Sequence, residues 1–225
     1  MTTPGPSPKR GPSPKRVPLI GLIGPIGAGK STVAGWLADR GAAIIDADEL
    51  TRELMAPGTP LADSIIGHFG ARFRRPDGSL DRDALGRLVF SDPARLAELE
   101  ALVHPAVGDR LARVVSETRA AGPRAVVLEA IKLVEAGHAS LCSEVWLVVC
   151  RPVTQLARLV ARGMNEADAR QRIAAQAGSL TSWCAAATRV IDTEGSTEAT
   201  ERAVDAAFEE VAPVGAADSG AAGGS

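Results

Sequence analysis

The chain has no tyrosine, and its 225 residues include only four Phe and three Trp. A core drawn from this set rests on Ala, Val, Leu and Ile. Lysine is almost as scarce. Lys9, Lys15, Lys30 and Lys132 are the whole complement, so 21 of the 25 basic residues are Arg. Three cysteines (Cys142, Cys150, Cys184) match no metal or redox spacing, which predicts free thiols in a reducing, cytoplasmic setting. No run of about 18 apolar residues is present to span a membrane. The N-terminus also lacks the apolar stretch of a secretory signal. The charge balance excludes a typical nucleic-acid binder. Net charge is −2, and setting aside Lys9, Arg10, Lys15 and Arg16 leaves 21 basic against 27 acidic residues.

What is present is globular: 45% hydrophobic and 23% charged, close to ordinary soluble domains. The hexapeptide GPSPKR occurs twice in succession over 5–16, and residues 1–16 read as a disordered, Pro-rich basic tail. Residues 213–225, rich in Gly and Ala, read as a second tail. Between them, 17–212 alternates strand and helix. Val17–Ile23, Ala42–Ile45, Arg124–Leu128, Val145–Val149 and Thr188–Ile191 are short apolar runs that predict five buried strands. Helical spacing covers Ser31–Arg40 and Glu198–Glu210. The pattern predicts an α/β fold with a parallel five-stranded sheet covered on both faces, three layers in all. The rhythm breaks over about 49–121, where helical periodicity dominates around a turn at Arg75–Gly78. That segment is expected to form a separate helical lobe for a second substrate.

Gly24-Pro25-Ile26-Gly27-Ala28-Gly29-Lys30-Ser31, followed by Thr32, fits G-x-x-x-x-G-K-[ST] between a strand and a helix. Glycines let successive backbone N–H groups turn toward an anion, and the helix presents its positive end. Lys30 is expected to reach the β- and γ-phosphates of ATP, and Ser31 to ligate Mg²⁺.

Such loops serve kinases, ATPases and GTPases alike. The single asparagine, Asn165, precedes Glu166, so the N-K-x-D guanine signature is absent. Val126-Val127-Leu128-Glu129 only approximates the acid-ended strand of motor ATPases. Asp46 and Asp48 end the second strand, taken to lie beside the first strand and its loop. One carboxylate there can accept the proton of an attacking hydroxyl and the other can hold the metal shell, while Asp48 can equally cap the next helix. Arg158 and Arg162, four apart before Gly163, together with a following stretch carrying Arg170, Arg172 and Gln176, read as a lid over about 155–178. A small-molecule kinase fits these features. A nucleotide-binding protein without turnover is the alternative from another class.

The ordered set of motifs resembles the dephospho-coenzyme A kinase family from about Pro18 to Val211. Besides the phosphate loop it comprises Asp46-Ala47-Asp48, Pro57-Gly58, His68-Phe69-Gly70, Asp77-Gly78-Ser79-Leu80-Asp81-Arg82, Leu88-Val89-Phe90, Leu99-Glu100-Ala101-Leu102-Val103-His104-Pro105, Leu133-Val134-Glu135, Gln155-Leu156-Ala157-Arg158 and Val190-Ile191-Asp192. The resemblance implies a P-loop kinase fold and Mg²⁺-dependent transfer from ATP to the 3′-hydroxyl of dephospho-CoA. It implies that Asp48 is the base; the residues themselves are read as placing Asp46 with Ser31 at the metal and Arg158 and Arg162 against the transferring charge. Arg82 and His104 become candidate acceptor contacts, although a histidine before a proline at a helix start is equally a structural residue. Shikimate-like and nucleoside monophosphate kinases share the architecture and remain alternatives. Pro25, Ile131-Lys132-Leu133, Thr188 and Thr193 depart from the family pattern, and Lys132 is left without a role.

Overall fold

The three central strands are apolar on both sides because each lies between two layers of helix. The computed structural model describes residues 16–213, so both expected tails fall outside the described residues except at their inner edges. The strands are β1 (Leu19–Ile23), β2 (Ala42–Asp46), β3 (Ala125–Glu129), β4 (Glu144–Val149) and β5 (Arg189–Asp192). All pair in parallel, in the order β2-β3-β1-β4-β5. Every expected strand is present to within two residues at either end. Their neighbours are not all as expected: β3 lies between β1 and β2, so the acids of β2 are one strand further from the phosphate loop.

Alternation along the strands sorts side chains into two cores. Ile20, Leu22, Val127, Trp146 and Val148 pack against α1 (Lys30–Asp39) and the terminal helix α9 (Thr197–Val211), chiefly through Val33, Leu37, Val204 and Phe208. Leu19, Ile23, Val126, Leu128, Val145 and Leu147 face α2 (Ala47–Leu54), α5 (Pro93–Ala120) and α8 (Leu180–Ala186) through Leu50, Leu111, Val115 and Trp183.

The helical lobe has a third core. Leu61, Ile65 and Phe69 of α3 (Pro60–Phe69) meet Phe73, Leu80 and, from α4 (Arg82–Ser91), Leu85 and Val89. Its turn is as expected: the Gly78 N–H donates to Arg75 O at 2.9 Å, and one antiparallel bridge joins Arg74 to Leu80. Helices α6 (Pro152–Ala161) and α7 (Glu166–Ala177) flank Gly163, whose φ of 87° ends the first of them. His104 is not at a helix start. It lies within the 28-residue α5, where Pro105 withholds the amide that would bond the Ala101 carbonyl.

Candidate active site

The chain leaves β1 through Gly24, whose φ of 147° suits glycine and whose missing Cβ leaves room for the Val148 carbonyl oxygen. Gly29, at φ 102°, is the N-cap of α1. It offers no side-chain cap, and the first turn carries no acid. Thr32 and Val33 donate to Gly29 O at 3.1 Å, and the amides of Lys30 and Ser31 are left to an anion. Helix α2 is built the opposite way: Asp46 Oδ1 accepts from the N–H groups of Asp48 at 2.8 Å and Glu49 at 2.9 Å. Asp46, rather than Asp48, is thus the cap. One of its oxygens is committed to the helix, and Oδ2 lies 3.8 Å from Arg52.

Lys30 Nζ donates to the carbonyl oxygens of Gly24 at 2.8 Å and Pro25 at 3.4 Å. Pro25, with no N–H, thus serves through its carbonyl. Burial lowers the Lys30 pKa, and the nearby Glu129 and Asp48 carboxylates pull it back up. Asp48 shifts upward, first from burial and then from repulsion by Asp46, against the opposing pull of Arg52, Lys30 and the Ile131 N–H. Glu129 also shifts upward through burial. It ends β3 opposite Asp46, and Ser31 Oγ donates to its Oε1 at 3.5 Å.

Glu129 is the acid that sequence reasoning passed over. It was visible as the end of an apolar strand, and only the interposed position of β3 brings it to the loop. Among the described residues, no three His, Cys, Asp or Glu side chains form a metal cage. Magnesium held mainly by phosphates and water needs one or two protein oxygens, and Ser31 with Glu129 supplies such a pair.

Arg158 is fixed rather than free on a lid face. Its Nη1 donates to Thr193 Oγ1 at 2.9 Å and Ala28 O at 3.2 Å, and Nη2 donates to Thr193 O at 2.7 Å. The Thr193 hydroxyl donates in turn to Ala28 O at 2.7 Å. Thr188 bonds β5 to β4, its Oγ1 accepting from the Val145 N–H at 2.9 Å. These two departures from the family pattern serve as ties. Arg162 ends α6 and lines a cavity of about 180 Å³ with Gly29, Trp36, Arg158 and Thr193. Gln176 of α7 reaches the phosphate loop, its Oε1 accepting from the Ile26 N–H at 2.7 Å.

A second cavity, of about 220 Å³, opens on the other side of Asp48. Leu96, Leu99, Val103 and Leu133 are among its apolar lining, and its polar groups are Asp48, Thr51, Glu100, His104, Lys132 and His138. His104 thus shares a cavity with Asp48, whereas Arg82 does not. Arg82 Nη2 donates to Arg52 O at 2.8 Å and ties α4 to α2. His138 shifts down in pKa through burial and the neighbouring His104, and its Nε2 is buried without a partner among the described residues.

Comparison with known proteins agrees with this geometry. The family model described as dephospho-CoA kinase matches residues 18–199. The dephospho-CoA kinase of Symbiobacterium thermophilum is 49% identical over 191 residues, 84% of this chain and 80% of the relative. That of Moorella thermoacetica is 45% identical over 195 residues, 86% of this chain and 92% of the relative. Among solved structures, TT1252 from Thermus thermophilus superposes with a TM-score of 0.73 at 34% identity, covering 88% of this chain and 99% of that one. A shikimate kinase from Acinetobacter baumannii, at 15% identity and a TM-score of 0.51 over 87% of this chain and 93% of its own, shares the fold. The chain belongs to the dephospho-CoA kinase family.

Proposed function

We infer that the protein transfers the γ-phosphoryl group of ATP to the 3′-hydroxyl of dephospho-CoA, giving coenzyme A and ADP. The observation that carries this reading is the double position of Asp48, which faces Lys30 electrostatically and also lines the apolar cavity. A hydroxyl presented from that cavity meets a base on one side and the phosphate loop on the other. The apolar walls suit the adenine face and pantetheine arm of dephospho-CoA better than a small polyhydroxy acid such as shikimate.

In the proposed reaction the acceptor oxygen forms a bond to the γ-phosphorus as the bond to the ADP oxygen breaks. The hydroxyl proton passes to the Asp48 carboxylate. Lys30 leaves its loop carbonyls for the phosphates, and the amides of Gly27, Gly29, Lys30 and Ser31 cradle the remainder. Arg158, held by Thr193, keeps a fixed positive charge against the loop, and Arg162 faces the 180 Å³ cavity that suits the rest of the nucleotide. Ser31 and Glu129, with Asp46 Oδ2 once it leaves Arg52, would hold Mg²⁺, which would supply neutralising charge to the phosphates. Because the loose transition state offers little covalent chemistry to assist, the rate gain comes from positioning and electrostatics.

Three unpaired cysteines fit a reducing, cytoplasmic compartment. Among the described residues no helix is long and apolar enough to cross a membrane. The acidic balance fits small-molecule rather than nucleic-acid partners. Phosphorus NMR of the product formed from Mg-ATP and dephospho-CoA tests the reading. A new 3′-monophosphoester resonance is expected, and ATP hydrolysis with no such resonance would contradict it.

A further inference from the structure

Lys132 follows β3 by three residues and is one of four lysines in the chain. Its Nζ lies 3.2 Å from Glu100 Oε1, so the pair joins the end of the sheet to α5 across the acceptor cavity. The side chains are 61% and 36% exposed, and an ion pair so well hydrated adds little to stability. Its place in the cavity is more informative. The permanent charges among the lining residues are the carboxylates of Asp48 and Glu100 and the single ammonium of Lys132.

Dephospho-CoA brings two further negative charges on its diphosphate. With two carboxylates already in the wall, its binding there needs a cation, and Lys132 is the lining residue that carries one. A compact ammonium on a flexible stem can exchange one oxygen partner for another without rebuilding the pocket. His138 belongs to the same lining, so the cavity's polar side holds an imidazole beside the ammonium.

Resting on the kinase reading above, we propose that Lys132 is a specificity-determining contact of the acceptor site. In the free protein it is parked on Glu100; with acceptor bound it pairs with the diphosphate of dephospho-CoA. Acceptors lacking that diphosphate gain nothing from it.

The test is steady-state kinetics with dephospho-CoA. Wild-type turnover is measured first, and its absence would contradict the kinase reading and this assignment with it. For Lys132→Met the KM for dephospho-CoA is expected to rise about 10- to 100-fold, the loss of one charge-assisted hydrogen bond. kcat, the KM for ATP and Tm should hold, and Lys132→Arg should recover most of the affinity. Glu100→Gln, which releases the lysine, should lower the KM. The wild-type KM should also climb more steeply with added KCl than that of Lys132→Met. An unchanged KM in Lys132→Met, or an equal rise in the KM for ATP, would overturn the proposal.

Discussion

The Ile26 N–H donates to Gln176 Oε1 across 150 residues of sequence, at 2.7 Å. Helix α7 thereby holds an amide of the loop that is proposed to cradle phosphate. Gln176→Ala leaves that amide unpartnered and is expected to raise the KM for ATP about 3- to 10-fold. Gln176→Glu can still accept the hydrogen bond but sets a carboxylate beside the triphosphate, so its ATP affinity should fall further. Isothermal titration with Mg-ATP distinguishes the two variants. Equal affinities would remove the electrostatic part of this account.

As the proposed base, Asp48 brings a stability cost with it. Its raised pKa means that the ionised carboxylate is disfavoured in the fold, first by burial and then by Asp46. Protonation as pH falls through that raised value removes the base, so kcat should decline on the acid side above the usual carboxylate range. Asp46→Asn keeps the cap of α2 but removes the repelling charge, and the acid limb should move to lower pH. A pH profile of kcat checks this direction.

Asp48→Asn should abolish transfer and leave ATP affinity nearly intact. Above the raised pKa the wild-type fold loses stability by ionising this group, a loss the variant avoids. Its Tm at neutral pH should therefore be unchanged or higher by about 2 °C. Calorimetry and ADP release read the two effects separately. Full activity would remove Asp48 as the base.

Thr193 and Arg158 form one structural unit. Thr193→Val keeps the shape but removes the hydroxyl that donates to Ala28 O and accepts from Arg158. The loss of this buried bond should cost about 1–3 kcal/mol and lower Tm by several degrees, with a higher KM for ATP. Arg158→Ala should act likewise and also reduce kcat. Arg162→Ala, at an exposed helix end, should alter kinetics and leave Tm within about 1 °C. Melting curves of the three variants check the division.

The strands and the phosphate loop were legible because short apolar runs and a glycine-rich turn each have a local cause. The sheet order was not. Seventy-eight residues separate β2 from β3, as Asp46 and Ala125 show, and nothing local says that β3 inserts between β2 and β1. Glu129, weighed only as the end of an approximate motor-ATPase strand, was given no place beside the loop without that order. Asp46 could have been recognised as the cap, since Glu49 three residues on completes a capping pattern. His104 looked like a helix start because of Pro105, yet Leu99, Leu102, Val103 and Ala106 continue the apolar spacing past it. Arg158 read as a mobile lid residue because its partner, Thr193, lies 35 residues away on the far side of β5.

The central claim is that this architecture serves dephospho-CoA. It is tested most directly by presenting Mg-ATP with dephospho-CoA, shikimate and nucleoside monophosphates in parallel, and following ADP together with each phosphorylated product. The account predicts product from dephospho-CoA and background ADP from the others. Product from shikimate or a monophosphate without any from dephospho-CoA, or ATP binding with no turnover on any acceptor, would contradict it.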